Sequence, residues 1–146
     1  MRSQFPILRR GVLSLAIPTV AVFAAMPQGC STPQPMRSGD GVPASQGTVK
    51  ATAGPNGNTN LAIRVKHLAL PSKVAADTTV YVVWVQPRNG AKQSVGALVL
   101  DDNLEGSLDT VTPHRRFQLI VSPEASGQVA YPAHEAVFTA DVERLE

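Results

Sequence analysis

The sequence predicts an all-β protein, an immunoglobulin-like or fibronectin-like antiparallel β-sandwich of about seven strands, preceded by a signal peptide and a flexible tether. Two observations predict the sandwich. After Gly47, short alternating or β-branched runs recur about every ten residues, and turn-forming residues separate them. No stretch of about ten residues beyond Gly47 keeps a helical period. A third observation, a basic and then apolar start, predicts that the domain is exported.

The composition divides the 146 residues into three parts. Residues 1–29 are predicted to be a signal peptide, residues 30–46 a lipid-anchored flexible tether, and residues 47–146 the β-sandwich domain. About 100 residues are enough for one domain with its own core. The single cysteine excludes a disulfide within the chain, so the domain depends on its core for stability.

The first residues have the layout of a secretory signal peptide. Arg2, Arg9 and Arg10 form a basic head, and a charge-free apolar run, residues 11–26, follows with one interruption at Pro18. A permanent membrane span needs about 20 apolar residues, so this shorter run predicts a transient signal that is cleaved. An uncleaved membrane anchor is the alternative.

The residues before Cys30 resemble the lipobox of bacterial lipoproteins, in which a small residue precedes an invariant cysteine. Gly29 and Cys30 fit that pattern, whereas Pro27 stands where the family prefers leucine or another aliphatic residue. The resemblance implies acyl chains on Cys30, and two or more chains anchor a protein stably to a membrane. The alternative is cleavage after Ala24 or Ala25, which would leave Cys30 as a free thiol.

The segment after the cysteine is predicted to be a flexible tether. The stretch "STPQPMRSGDGVPASQG" at 31–47 is rich in Pro, Ser and Gly, and its only large apolar residues are Met36 and Val42. Such a segment buries too little apolar surface to offset its ordering entropy, so it would lift the domain clear of the lipid. The lipoprotein resemblance also implies, from Ser31 after the cysteine, export to the outer membrane in a Gram-negative host.

The net charge argues against binding to nucleic acid or anionic lipid. Three of the 13 basic residues and none of the 11 acidic residues precede Cys30, so the mature chain has ten basic and eleven acidic residues. A net charge near minus one implies no basic face. The short basic cluster at 114–116 is predicted to be a solvated turn.

Three strands are predicted in the first half of the domain. Residues 47–53 alternate small apolar and polar side chains, and residues 61–68 place Leu61, Ile63 and Val65 on one face. Residues 78–86 are apolar on both faces, as in a central strand. Trp84, in the middle of that strand, is predicted to pack between the sheets against Phe117 or Phe138; an exposed Trp84 used for ligand stacking is the alternative.

Four further strands are predicted in the second half. Asn89-Gly90 predicts a hairpin turn, because both residues tolerate a positive φ, and residues 92–100 return as the partner strand. The remaining strands follow at 107–112, 115–122 and 135–145, each preceded by turn-forming residues.

Two segments resemble the extracytoplasmic domain of anti-sigma-K factors. They are "TTVYVVWVQPRNGAKQSVGAL" and "FQLIVSPEASGQVAYP", and Gln128 stands in place of the second glycine of the later motif. The resemblance implies the fold of that domain. It does not imply inhibition of a sigma factor, because those proteins use a separate helical domain for it. The matching positions are Tyr81, Trp84, Gly90, Gly96, Phe117, Glu124, Gly127 and Pro132.

No catalytic motif is recognisable, so the domain is predicted not to be an enzyme. The histidines at 67, 114 and 134 occur outside any Ser, Cys or zinc motif. One candidate metal site is the stretch "DDNLEGSLDTVT", which places Asp101, Asn103, Glu105 and Asp109 at ligand positions of an EF-hand-like calcium loop. Thr112 replaces the bidentate acid, so a polar hairpin with solvated acids is the alternative.

These observations predict an exported, membrane-anchored lipoprotein whose non-catalytic β-sandwich acts as a binding or structural module of the cell envelope. The predicted partners are the membrane, through lipid on Cys30, and an envelope protein, with no nucleic acid and no cofactor. The predicted location is the cell envelope, on the periplasmic side of the outer membrane in a Gram-negative host. The alternative function is a periplasmic small-ligand or calcium-binding module, and an enzyme would require side chains that converge only in the fold.

Overall fold

Two antiparallel β-sheets packed face to face make up the described part of the chain. The structure is a computed structural model, and it describes residues 31–145. A 3-10 turn at Pro55–Gly57 and a four-residue helix at Pro71–Val74 interrupt the β-structure. The strands are β1 Gln34–Pro35, β2 Arg37–Ser38, β3 Gln46–Ala53, β4 Thr59–Lys66, β5 Val80–Pro87, β6 Gln93–Leu98, β7 Gly106–Thr112, β8 Arg116–Glu124 and β9 Phe138–Glu143.

The strand order confirms the predicted all-β sandwich. One sheet has the order β1-β3-β4-β7 and the other the order β2-β9-β8-β5-β6. The seven longer strands, β3 to β9, correspond one by one to the seven predicted runs, with ends that differ by a few residues. Every strand pair is antiparallel. From β3 onward the chain changes sheet after β4, β6 and β7, as in immunoglobulin-like sandwiches.

The alternating sequence produces the core between the sheets. Along β4 the buried residues alternate with more exposed ones, because successive side chains of a strand point to opposite faces. Leu61, Ile63 and Val65 therefore face the opposite sheet and are almost completely buried. Val83, Leu119 and Phe138 of the five-stranded sheet belong to the same apolar cluster.

Trp84 is buried, but it does not pack between the sheets. With Val82 and Ile120 it forms a second apolar cluster, separate from the main core that contains Phe117 and Phe138. Val129 and Ala136, from the segment after β8, pack against this second cluster. The predicted contact of Trp84 with Phe117 or Phe138 is therefore wrong. The apolar residues on both faces of strand β5 are buried, because the long β8–β9 connection covers the outer face of the strand.

The predicted flexible tether is ordered in the structure. Strand β1 pairs with β3, and strand β2 pairs with β9, so the segment lies along one edge of each sheet. The Met36 backbone N–H donates to the Gly47 carbonyl at 2.8 Å. The Met36 and Val42 side chains are 7% and 4% exposed and belong to the main core. The prediction of a flexible segment is therefore wrong from Gln34 onward, and the sandwich begins earlier than Gly47.

The physical reason for this difference lies in the edges of the sheets. Strands β3 and β9 would each present unpaired N–H and C=O groups without the N-terminal segment. A short extended segment satisfies such groups whatever its average hydrophobicity, because the hydrogen bonds involve its backbone. Met36, between β1 and β2, fills the space beside Gly47, where a Cβ atom would lie only 2.5 Å from the Met36 Cε.

Burial in the core changes the proton equilibrium of Tyr81. Its ring is fully buried, and its hydroxyl donates to the Ala69 carbonyl at 2.7 Å. Burial raises the pKa of the Tyr81 hydroxyl to about 12, because the phenolate would be poorly solvated there.

Candidate functional site

The predicted lipidation site lies outside the described residues. Cys30, the predicted signal peptide at 1–29 and the alternative cleavage positions Ala24 and Ala25 all precede Ser31, the first described residue. The Ser31 hydroxyl donates to the Ala51 carbonyl at 2.5 Å. The chain is therefore already in contact with strand β3 one residue after the cysteine.

The predicted calcium loop is a tight turn between β6 and β7. The Asp101 carboxylate accepts the backbone N–H groups of Asn103 and Glu105, both at 2.9 Å. Leu104 takes a positive φ of 60°, and its N–H donates to the Asp101 carbonyl at 3.0 Å. One Asp101 carboxylate oxygen is thus occupied in shaping the turn, as Asp side chains commonly do.

The other predicted ligands have different partners. Asp109 lies on strand β7 and forms an ion pair with Arg64 at 2.8 Å, on the outer face of the four-stranded sheet. Glu105 approaches Lys66 at 3.8 Å. Within residues 31–145, no three His, Cys, Asp or Glu side chains form a group that could hold a metal ion. Calcium binding stays a prediction that this arrangement does not favour.

The histidines are distributed over the molecule. His67 follows β4 at one end of the sandwich, and its carbonyl accepts the Ser45 hydroxyl at 2.9 Å. His114 lies between β7 and β8 at the opposite end, with its Nε2 buried and without a hydrogen-bond partner. His134 lies in the β8–β9 connection. A shared site for the three histidines is therefore not formed.

A buried polar network is the most concentrated constellation of functional groups in the described chain. Glu124, at the end of β8, is fully buried. The Ser122 hydroxyl donates to Glu124 Oε1 at 2.6 Å and accepts the Trp84 Nε1–H at 2.9 Å. The Ala133 N–H donates to the Glu124 carboxylate at 3.1 Å, and His134 Nδ1 lies 3.6 Å from Glu124 Oε2.

The geometry of this network is not that of a nucleophilic catalyst. A serine nucleophile needs a histidine base on its hydroxyl and access for the substrate. The Ser122 hydroxyl donates to the carboxylate instead, and Ser122 is fully buried. The network links the β8–β9 connection to the sheet beneath it, through one carboxylate that accepts from both. Buried polar groups with partners of this kind specify one arrangement of a loop.

A shallow groove lies on the outer face of the five-stranded sheet. It has a volume of about 460 Å³, and its lining includes Arg88, Arg116 and Glu143. Arg116 and Glu143 form an ion pair across β8 and β9. The hydrogen bond from Arg116 lowers the pKa of the Glu143 carboxyl, and the charge of Arg88 acts in the same direction. The same hydrogen bond raises the pKa of the Arg116 guanidinium. The pair is exposed, so its contribution to stability is small.

The charges of the connecting loops are segregated between the two ends of the sandwich. We call the end formed by loops 54–58, 88–92 and 113–115 the basic end, because its charged loop residues are Arg88, Lys92 and Arg115. The opposite, acidic end consists of loops 39–45, 67–79, 99–105 and 125–137. Its charged loop residues are Asp40, Lys73, Asp77, Asp101, Asp102, Glu105 and Glu135.

Sequence reasoning missed this segregation. The net charge of the chain is a sum over both ends, and it is close to zero when the two ends oppose each other. Arg88 and Arg115 are far apart in sequence, but Pro87 pairs with Phe117 in the β5–β8 ladder, which brings their loops to the same end. The available signal was the antiparallel strand order, which places alternate loops at the same end.

Comparison with protein-family models and with curated proteins gives no match for this chain. The resemblance of residues 77–133 to anti-sigma-K factors therefore stays a prediction. Residues 31–145 include no helix with the length and apolar character needed to cross a bilayer.

Proposed function

We propose that the protein is an exported lipoprotein, held at a membrane of the cell envelope by acyl chains on Cys30. The observation that carries this proposal is the position of Cys30. It follows a basic head and a short charge-free run, and the next residue, Ser31, donates a hydrogen bond to strand β3. The single cysteine of the chain has no partner for an internal disulfide, and lipidation gives it a function.

We infer that the anchored sandwich acts as a binding or structural module and not as an enzyme. The arrangement of the most concentrated polar groups supports this inference. Ser122 and Glu124 are fully buried, and His134 contacts the carboxylate and not the hydroxyl. Groups that cannot meet a substrate contribute to the fold and not to a reaction. The proposed partner is another protein of the envelope.

The proposal is tested by the mass of the mature N-terminus. The full chain is expressed in a bacterium, purified from membranes and digested, and the N-terminal peptide is analysed by mass spectrometry. We expect a peptide that begins at Cys30 and carries the added mass of two or three acyl chains. The Cys30→Ser variant is the matched control, and it should lose both the acyl mass and the cleavage before residue 30.

Two results would contradict the proposal. A mature chain that begins at Ala25 or Met26 would show ordinary signal cleavage and a free Cys30 thiol. A chain that keeps Met1 would show that the leader is not removed. Either result would separate the β-sandwich from a lipid anchor.

A further inference from the structure

We propose that the basic end of the sandwich faces, and binds, an anionic membrane surface. The inference rests on the proposed lipid anchor at Cys30 and adds an orientation and a lipid chemistry to it. Two independent observations support it: the contact that Ser31 makes next to Cys30, and the distribution of charge over the loops.

The first observation is that Ser31, the residue after Cys30, contacts the part of β3 that leads to the basic end. Strand β1 pairs with β3 so that Gln34 is opposite Val49, and the Ser31 hydroxyl donates to the Ala51 carbonyl. Ala51 is two residues from the end of β3, which leads directly into loop 54–58 of the basic end. One residue spans at most about 3.6 Å. An acylated Cys30 therefore leaves no tether between the lipid and this part of the domain.

The second observation is that loops 54–58, 88–92 and 113–115 of this end carry cations and no carboxylate. Arg88 and Lys92 are exposed in the β5–β6 hairpin, and Arg115 is exposed in the β7–β8 connection. Arg116 and Glu143 lie at the adjoining strand ends and neutralise each other. Acidic lipids attract basic residues that lie close to the bilayer surface. The attraction of Arg88 and Lys92 together should raise the ratio of docked to undocked domain roughly thirtyfold.

The charge of the opposite end reinforces this orientation. Six of the seven charged residues in the loops of the acidic end are Asp or Glu. An anionic surface repels that end within about one Debye length, which is about 10 Å at 0.1 M salt. A domain that is attached near one end and repelled at the other has one preferred orientation on anionic lipid.

The experiment measures which end is shielded by the bilayer. Acylated full-chain protein carries a single introduced cysteine, either Asn89→Cys at the basic end or Asn103→Cys at the acidic end. Both positions are exposed, and the acylated Cys30 does not react with a thiol label. Each labelled protein is reconstituted in vesicles of phosphatidylcholine alone or with one third phosphatidylglycerol. Acrylamide, a neutral quencher, then reports the accessibility of the fluorescent label.

We expect the quenching constant at position 89 to fall about threefold below that at position 103 in the phosphatidylglycerol vesicles. Adding Arg88→Gln and Lys92→Gln should remove most of this difference. The control pair Arg37→Gln and Lys73→Gln removes two exposed cations away from the basic end and should leave the difference in place. Salt at 1 M, where the Debye length is about 3 Å, should also remove most of the difference in quenching, as the Arg88→Gln and Lys92→Gln substitutions do.

The outcomes separate this inference from the proposed function. Equal quenching at positions 89 and 103 in protein whose acylation is confirmed by mass would overturn the orientation and leave the lipid anchor intact. It would also be overturned if the pair Arg37→Gln and Lys73→Gln reduced the difference in quenching as much as the pair at Arg88 and Lys92. Protein that proves unacylated would overturn the proposed function and, with it, the inference.

Discussion

Replacing Met36 by alanine tests whether the N-terminal segment is part of the fold. The Met36 side chain is only 7% exposed and belongs to the main core, beside Gly47 and Phe138. A buried Met→Ala change lowers the free energy of unfolding by about 2–5 kcal/mol, and at the edge of a core we expect a loss at the lower limit of this range. We therefore expect the free energy of unfolding to fall by about 2 kcal/mol, and the urea midpoint by about 1 M.

The assay is urea unfolding followed by Trp84 fluorescence, with the neighbouring variant Arg37→Ala as the control. Arg37 is exposed, so its replacement should change the unfolding free energy by less than about 0.5 kcal/mol. Gly47→Ala tests the same site from the other side, since its Cβ would lie 3.1 Å from two ring carbons of Phe138 and 2.5 Å from the Met36 Cε, and it should also destabilise. A Met36→Ala variant as stable as the Arg37→Ala variant would refute the packing of this segment and restore a flexible tether.

Three further predictions concern the buried network, the core tyrosine and the acidic turn. Glu124→Leu leaves the Ser122 hydroxyl and the Ala133 N–H without their acceptor, so it should cost about 3 kcal/mol in urea unfolding; a loss no larger than that of the exposed control Glu135→Gln would contradict the network. The pKa of Tyr81 is raised from 10.0 to about 12, so its contribution to stability is complete below pH 10 and is lost as the pH rises toward 12. Tyr81→Phe should therefore be less stable than the parent at neutral pH, through the lost bond to Ala69, and should lose less stability between pH 10 and 12; parallel alkaline melting curves would argue against this. Millimolar Ca²⁺ should leave the melting temperature unchanged, because Asp101 and Asp109 have separate partners; a clear rise would revive the calcium loop.

The strands of the domain were predictable because their information is local. Alternation along β4 and the apolar run of β5 are each properties of a few consecutive residues. The turn at Asn89-Gly90 is likewise local, and the structure has the hairpin between β5 and β6 there. Neither residue takes the positive φ on which the prediction was based, and the Gly90 N–H instead donates to the Pro87 carbonyl at 3.1 Å. Each of these features reflects the geometry of a single strand or turn, so the sequence contains enough to predict it.

The errors have a common origin in contacts between distant parts of the chain. Met36 and Val42 lie in a polar, proline-rich segment, and only the open edges of β3 and β9 make that segment ordered. Trp84 lies in a run that is apolar on both faces of the strand. The sequence therefore did not indicate that Trp84 is on the outer face, which the β8–β9 connection covers. Composition averages over such contacts and does not detect them.

The candidate sites divide in the same way. The basic head, the apolar run and Cys30 are consecutive in the chain, so the predicted export signal and the proposed anchor follow from the sequence alone. The Glu124 network joins residues from β5, β8 and the β8–β9 connection, and the basic end joins loops from both sheets. Antiparallel pairing brings those residues together, and a linear sequence does not record which loops share an end. Local patterning thus specified the strands and predicts the leader, whereas long-range pairing specified the ordered N-terminal segment, the buried carboxylate and the separation of charge.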